Sequence, residues 1–292
     1  MKRNMNLILA SSLALTLAAT AGVGCKRSGG GSGAASDLLA ELPPNAALAA
    51  GISPSELEKL PLLKSQLDEL DFDGLADDCG IDPTSDIDQL VFAATDPDSF
   101  VAAAKVSFDA DKLTGCIEEL DVEMSEEGDV TKVTDEFGDD TFFTWSGDVL
   151  LVSSSAELLA TAGDDGGLAG NEEIMEYVGK ADTSAAIWAA GNIPDEMAAG
   201  LGQMGGPPPE AFYLSVAISG GVKVEAGGFF ADEEGAENLE NMMGMVTMMG
   251  AGDEQLGSIV DKLEVDRSGN VVTVSIQLSE DDVETLSAMG GF

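Results

Sequence analysis

The chain contains no histidine, and its 292 residues include three cysteines, two tryptophans and two tyrosines. Without histidine there is no Ser-His-Asp triad and no Cys-His dyad. His-ligated zinc and His-ligated haem are excluded on the same ground. Basic residues are also scarce, 13 against 54 acidic ones. Four of them (Lys2, Arg3, Lys26 and Arg27) precede Ser28, so the body carries nine basic residues against all 54 acidic ones, a charge of −45. Such a surface repels nucleic acid, whose binding needs Lys and Arg to replace phosphate counterions. Three readings of the acidity stay open: a solvated surface suited to salt, a cation site, or a basic partner. Aromatics make up 5% of the chain, yet apolar residues make up 44%. That supply is enough for a packed core rather than a disordered acidic polymer.

What is present begins with a targeting segment. Lys2 and Arg3 form a positive start, Leu7 to Ala19 an apolar run, and small residues lead to Gly24-Cys25. This is the layout of a secretory signal peptide, too short and wrongly flanked for a spanning helix. Ala19-Thr20-Ala21 would serve as an ordinary cleavage site. Gly22-Val23-Gly24-Cys25 resembles instead the lipobox of bacterial lipoproteins, with Gly22 where that family usually has Leu. The resemblance implies that residues 1–24 are removed and Cys25 is acylated. Residues 25–36 then read as the lipidated Cys and a Gly/Ser-rich tether with a coil reach of about 18 Å. Lys26 and Arg27 suit anionic headgroups. In the sorting rule known from enteric bacteria, Lys26 in place of Asp leans toward the outer membrane. The body is then expected in the periplasm or at the cell surface.

With Cys25 assigned to lipid, Cys79 and Cys116 remain, an even number in an oxidising compartment. A disulfide between them is the first reading and a pair of unpaired core thiols the second.

The body reads as two copies of one unit, divided near Gly170 into residues 37–169 and 170–292. Ala46, Ala49, Ala50, Gly51, Pro54 and Glu56 recur at a constant offset as Ala186, Ala189, Ala190, Gly191, Pro194 and Glu196. This is a short buried strand, a Gly exit and a helix opened by Pro. Val101 to Phe108 leads to Asp111 and a helix bearing Leu113, Ile117 and Leu120. Val222 to Phe229 leads likewise to Asp232 and a helix bearing Leu239, Met242, Met243 and Val246. Ser146-Gly147-Asp148-Val149 matches Ser268-Gly269-Asn270-Val271, a hairpin turn in each copy. Val272, Val274, Ile276 and Leu278 alternate with Thr273, Ser275 and Gln277, the pattern of a half-buried antiparallel strand. Ser154 with Glu157 and Ser279 with Asp282 have capping-box form. The class is therefore α+β: two similar halves, each a mainly antiparallel sheet with helices on one face. The signal and the repeat together resemble bacterial lipoproteins that carry tandem α+β units.

No motif supplies a catalytic site. Gly200 to Gly205 matches G-x-G-x-x-G but follows a helix pattern and runs into three prolines, the wrong context for a dinucleotide. Asp71, Asp73 and Asp77 approach a calcium loop, yet Gly80 stands where a bidentate Glu is required, so the segment reads as an acidic loop or a weak Ca²⁺ site. Met242, Met243, Met245, Met248 and Met249 crowd one helix; core packing, an apolar ligand surface and Cu(I) binding compete there. Asp182-Thr183-Ser184 lacks the Gly of the aspartic-protease triplet. No cofactor is implied. The expectation is a non-enzymatic lipoprotein that binds a protein or an apolar ligand, with a Ser-Lys or paired-carboxylate hydrolase as the rival.

Overall fold

The structure is a computed structural model that describes residues 33–59, 79–96, 98–119, 122–135, 137–194, 198, 207–250 and 257–288. Cys25, Asp71, Asp73, Asp77 and the Gly200–Gly205 motif lie outside the described residues. Chain contacts divide the body into two compact units that meet at Met175 and Glu176. The dividing point is therefore inside a helix, Glu172–Val178, and not in the loop at Gly170.

The first unit opens with α1 (Gly33–Ala40), β1 (Leu48–Ile52) and the short helix α2 (Pro54–Leu57). Next come α3 (Pro83–Asp86), β2 (Ile87–Asp96), β3 (Ser99–Val106) and α4 (Ala110–Glu119). Two hairpins follow, β4 (Glu123–Glu127) with β5 (Val130–Thr134) and β6 (Asp140–Ser146) with β7 (Val149–Ser153), and then α5 (Ala156–Thr161). The strand order is β1-β2-β3-β7-β6-β5-β4 and every pairing is antiparallel. Helix α6 (Glu172–Val178) carries the chain into the second unit. That unit comprises β8 (Ile187–Asn192), β9 (Ala211–Ile218), β10 (Val222–Phe229), α7 (Glu233–Gly250), α8 (Gly257–Val260), β11 (Glu264–Ser268), β12 (Val271–Leu278) and α9 (Glu280–Ala288). Its order, β8-β9-β10-β12-β11, is again antiparallel throughout. The class is α+β with two similar halves.

The strand order of the second unit repeats β1-β2-β3-β7-β6 of the first. The β6–β7 and β11–β12 hairpins close alike. Ser146 faces Val149 and Ser268 faces Val271, and Gly147 and Gly269 both take φ 63°, where a Cβ is unfavourable. One match is shifted. Ser153 faces Val101, whereas Ser275, its hairpin equivalent, faces Glu225. Val101 is thus equivalent to Glu225 and not to Val222. The apolar runs match in either frame, and only the cross-strand hydrogen bonds fix the register. The extra hairpin β4–β5 has no counterpart among the described residues of the second unit, where the much longer helix α7 follows β10.

Each unit packs a helix onto the apolar rows of its sheet. In the first, Leu113 and Ile117 of α4 join Val133, Phe143 and Leu150. In the second, Ala236, Leu239 and Met243 of α7 pack with Phe230, Val272 and Val274. The helices predicted for one face are there, and the alternate rows are covered as well. Ser275 and Ser215 are buried, Tyr177 of α6 stacks on Phe229 with ring centroids 4.7 Å apart, and only Gln277 of the polar row is exposed. Burial of that row is tolerable because its polar groups are bonded, as where Asp182 N donates to Ser215 Oγ at 2.8 Å.

Three local expectations change. The tether does not reach Ser36: α1 starts at Gly33, and Ala35, Leu38 and Leu39 are buried. Ala35, among the best helix formers, is itself buried in this helix. Ser155 rather than Ser154 caps α5, accepting from Glu157 N at 3.2 Å. Ser154 Oγ is occupied instead by Phe100 N at 3.2 Å, where the end of β7 is tied to β3. Finally, Val246 does not continue the buried stripe of α7; it is 49% exposed and Met248 75%.

Candidate functional site

The feature with the most chemical variety among the described residues is a crevice in the first unit, about 570 Å³ in volume, where β3 runs into α4. Its walls are Val106, Ser107 and Phe108 after β3, the start of α4, Trp145 of β6, and Gly147 and Asp148 of the adjoining turn, with Asp86 at the rim. Phe108 and Trp145 meet edge to face, with centroids 6.2 Å apart at 90°. The indole Nε1 of Trp145 is buried and has no acceptor among the described residues. Trp145 also lines a second hollow of about 430 Å³ on the other side of α4.

Local chemistry fixes each wall. Asp82 caps α3 by accepting from Thr84 N at 2.9 Å. This turn presents Asp86, which accepts from Ser107 Oγ at 2.8 Å and from Asp82 N at 3.0 Å. The Ser107 hydroxyl, then the Asp82 amide, hold the Asp86 carboxyl below the usual carboxylate range. Asp109 caps α4, accepting from Lys112 N at 3.0 Å. Lys112 Nζ donates to the carbonyl of Gly80 and lies 4.0 Å from Asp86. Cys116 of α4 is bonded to Cys79, with Cα atoms 4.9 Å apart. The disulfide and the Lys112–Gly80 bond together pin α4 to the segment before β2. Asp148, with its side chain 71% exposed, pairs with Lys105 at 3.3 Å.

The second unit builds an equivalent corner with a bonded turn. Phe230 takes the place of Val106, Asp232 caps α7 by accepting from Gly235 N at 2.8 Å, and Gly269-Asn270 forms the turn. Here Phe230 N donates to the Asn270 carbonyl at 2.9 Å, and Asn270 Nδ2 donates back to the Phe230 carbonyl at 2.6 Å. Phe230 is consequently drawn into the core, and a Cβ on Gly235 would lie 3.1 Å from both Phe230 and Pro207. The ladders themselves run equally far, since Lys105–Val149 in the first unit is equivalent to Phe229–Val271 in the second. In the continued register Asp148 falls opposite Val106 as Asn270 falls opposite Phe230, and a carboxylate cannot donate to a carbonyl as the Asn270 amide does.

The residues singled out in the sequence fall elsewhere. Met243 packs in the core of the second unit, Met242 is half-buried, and Met245 and Met248 are exposed. Asp182 belongs to a turn before β8, where its carboxylate accepts from Ser184 N at 3.0 Å and Ser184 Oγ at 2.6 Å. Among the described residues, no group of three or more His, Cys, Asp or Glu side chains is placed to hold a metal ion. No described helix is long and apolar enough to cross a membrane. Sequence reasoning passed over the crevice residues. The one available signal was the Asp148/Asn270 difference in an otherwise matched turn.

No family model matches the chain, and neither does any curated protein. Among solved structures, crystal form I of TP0453 is similar over 86% of this chain and 97% of its own length, with a TM-score of 0.49 and 8% identity.

Proposed function

We propose that this chain is an exported lipoprotein, held at a membrane by acyl groups on Cys25, whose acidic body binds a ligand without transforming it. The observation that carries the binding reading is the asymmetry of the repeat. One corner of the fold occurs twice, and the first copy has Val106 lining an aromatic-walled crevice of about 570 Å³ where the second has the buried Phe230. A concave site that joins aromatic walls to polar groups able to orient a ligand is a usual form of ligand pocket. The lipobox-like Gly24-Cys25 supports the anchor, and the tether after it supports a body free to meet ligands in the periplasm or at the cell surface. Lys26 in place of Asp supports the outer membrane as the anchored surface.

Two measurements test this. Labelled fatty acid should enter the wild type and not Cys25→Ala; equal labelling of both rules out the anchor. Native mass spectrometry of the detergent-purified lipoprotein should show a retained ligand that Phe108→Ala releases. A wild type with no bound species, unaffected by that substitution, removes the binding reading.

A further inference from the structure

We infer that the C-terminal half of α7 is a second membrane contact: Met245, Val246 and Met248 enter the boundary between headgroups and acyl chains of the bilayer that holds Cys25. The inference rests on the lipid anchor and is independent of the crevice.

The first argument is the surface of α7. Ala236, Leu239 and Met243, spaced by three and four, form the face that packs on Phe230, Val272 and Val274. Over the first turns the other side is acidic, with Glu233, Glu234 and Glu237 exposed. Past Met243 the character of that side changes. Met245 is 56% exposed, Val246 49% and Met248 75%, and only Phe137 joins them as a large apolar side chain so exposed among the described residues. Scattered apolar side chains on a surface need no explanation, but these three, on successive positions of one helix end, form a contiguous patch. The one hydroxyl within it, Thr247 Oγ1, donates to the Met243 carbonyl at 2.9 Å and so asks for no water. Residues 241–252 carry no charged side chain, in a body of net charge −45.

The second argument is the other end of the chain. Helix α1 begins at Gly33, so eight residues, 25–32, separate the acyl groups from the fold. Fully extended, such a length of chain spans about 28 Å. Acylation at Cys25 thus keeps the body beside lipid at high effective concentration, and a weak apolar contact suffices to seat it. A bilayer also fits the patch chemically. It takes flexible thioethers without demanding a matching shape, and it rejects the carboxylates that are plentiful on the rest of the body. At shallow depth the carbonyls that end α7 still reach water. Because the body is acidic, the bilayer that suits it is zwitterionic, and an anionic surface would repel it.

Tryptophan placed on α7 tests this in the full-length lipoprotein, reconstituted in phosphatidylcholine vesicles whose acyl chains carry bromine, a contact-range quencher. Met248→Trp should lose at least half of the emission it adds to the wild type. Glu234→Trp, exposed on the same helix about 21 Å away along its axis, should lose almost none. Met245→Glu combined with Met248→Trp should restore most of the lost emission; Met245 is exposed, so the fold tolerates the change. Fatty-acid labelling of the same preparations separates the two readings. In acylated protein, equal quenching at both positions, or none at 248, overturns the inference and leaves the anchor standing. In protein without acyl label, quenching confined to Met248→Trp upholds the bilayer contact while the anchor fails, and no quenching removes both. A blue shift of Met248→Trp that grows with protein concentration, without bromine quenching, assigns the patch to a second copy of the chain and overturns the inference as well.

Discussion

Tyr213 Oη lies 3.0 Å from Thr273 Oγ1, although the two residues sit on strands separated by β10. The ring spans the gap because the residue beneath it, facing both partners in register, is Gly227. A Cβ there would stand 2.0 Å from Tyr213 Cε1. The glycine forgoes a side chain of its own so that the tyrosine can cover the strand, a trade known from sheets in which an aromatic shields a glycine. Tyr213 is buried, and its ring meets Phe229 at 6.2 Å between centroids.

Gly227→Ala should therefore destabilise the second unit by overpacking, about 2 kcal/mol on the usual scale for such insertions. Tyr213→Phe should cost about 1 kcal/mol through the lost hydroxyl bond. Chemical denaturation of Gly227→Ala, Tyr213→Ala and the double variant checks the coupling. The double variant should lose less than the two singles together, since the clash vanishes with the ring. Strict additivity would show that the ring and the glycine are independent.

Asp282 supplies a pH dependence. Its carboxylate accepts from Lys262 Nζ, from Ser279 Oγ at 2.5 Å and from Ser279 N at 2.7 Å. The Lys262 ammonium first, then the Ser279 hydroxyl and amide, lower its pKa from 3.8 to about 2. A carboxylate with a depressed folded-state pKa stabilises the fold above its unfolded pKa and loses that contribution as pH falls through the folded one. The unfolding midpoint should drop between about pH 4 and pH 2, and Asp282→Asn should drop less over the same interval. Parallel pH profiles for the two proteins would rule out Asp282 as a contributor.

The Cys79–Cys116 bond spans a sequence separation of 37. On the chain-entropy estimate, closing such a loop contributes about 4 kcal/mol. Cys79→Ser with Cys116→Ser should lower the denaturation midpoint by a matching amount and speed hydrogen exchange in α4. Because α4 also forms one wall of the crevice, Trp145 should become more accessible to a soluble quencher. Unchanged exchange in α4 would show that Lys112 and the core contacts suffice to hold it.

The body charge of −45 stores self-repulsion, which salt screens once charges lie beyond about 8 Å. Thermal midpoints should climb smoothly with NaCl and equally with KCl. Millimolar Ca²⁺ should add little, and Asp71→Asn with Asp73→Asn should leave the Ca²⁺ response as it was. A large saturable Ca²⁺ effect, lost in that double variant, would instead make the acidic segment a calcium site.

Much of this architecture is written in local patterns. The Ser-Gly-Asp and Ser-Gly-Asn turns specify hairpins because a position at φ 63° admits Gly with least strain. Ser279 and Asp282 specify a helix start, and their capping box forms in full, with Asp282 N donating to Ser279 Oγ at 3.3 Å. Leu113 and Ile117, spaced by four, specify the buried face of α4. These features depend on neighbours within a few residues, so the sequence displays them directly. Where a choice depended on distant partners, local reading slipped. Ser154 and Ser155 are equal candidates for a cap until Phe100, far away in the chain, claims Ser154. Val246 continues an apolar stripe, but the stripe leaves its packing partners before reaching it.

The sequence by itself determined the duplicated α+β unit, its hairpins and its strongly acidic charge, because periodicity, turn chemistry and net charge are local or additive properties. Only the tertiary structure decided the register of β3 against β7, the burial of both sheet faces, and the bonding of Asn270 to Phe230 in one of the two turns. Those depend on hydrogen bonds and contacts between residues far apart in the chain. Asp148 and Asn270 occupy the same turn in two copies of one motif. What separates them is whether a nitrogen stands within reach of a carbonyl on another strand.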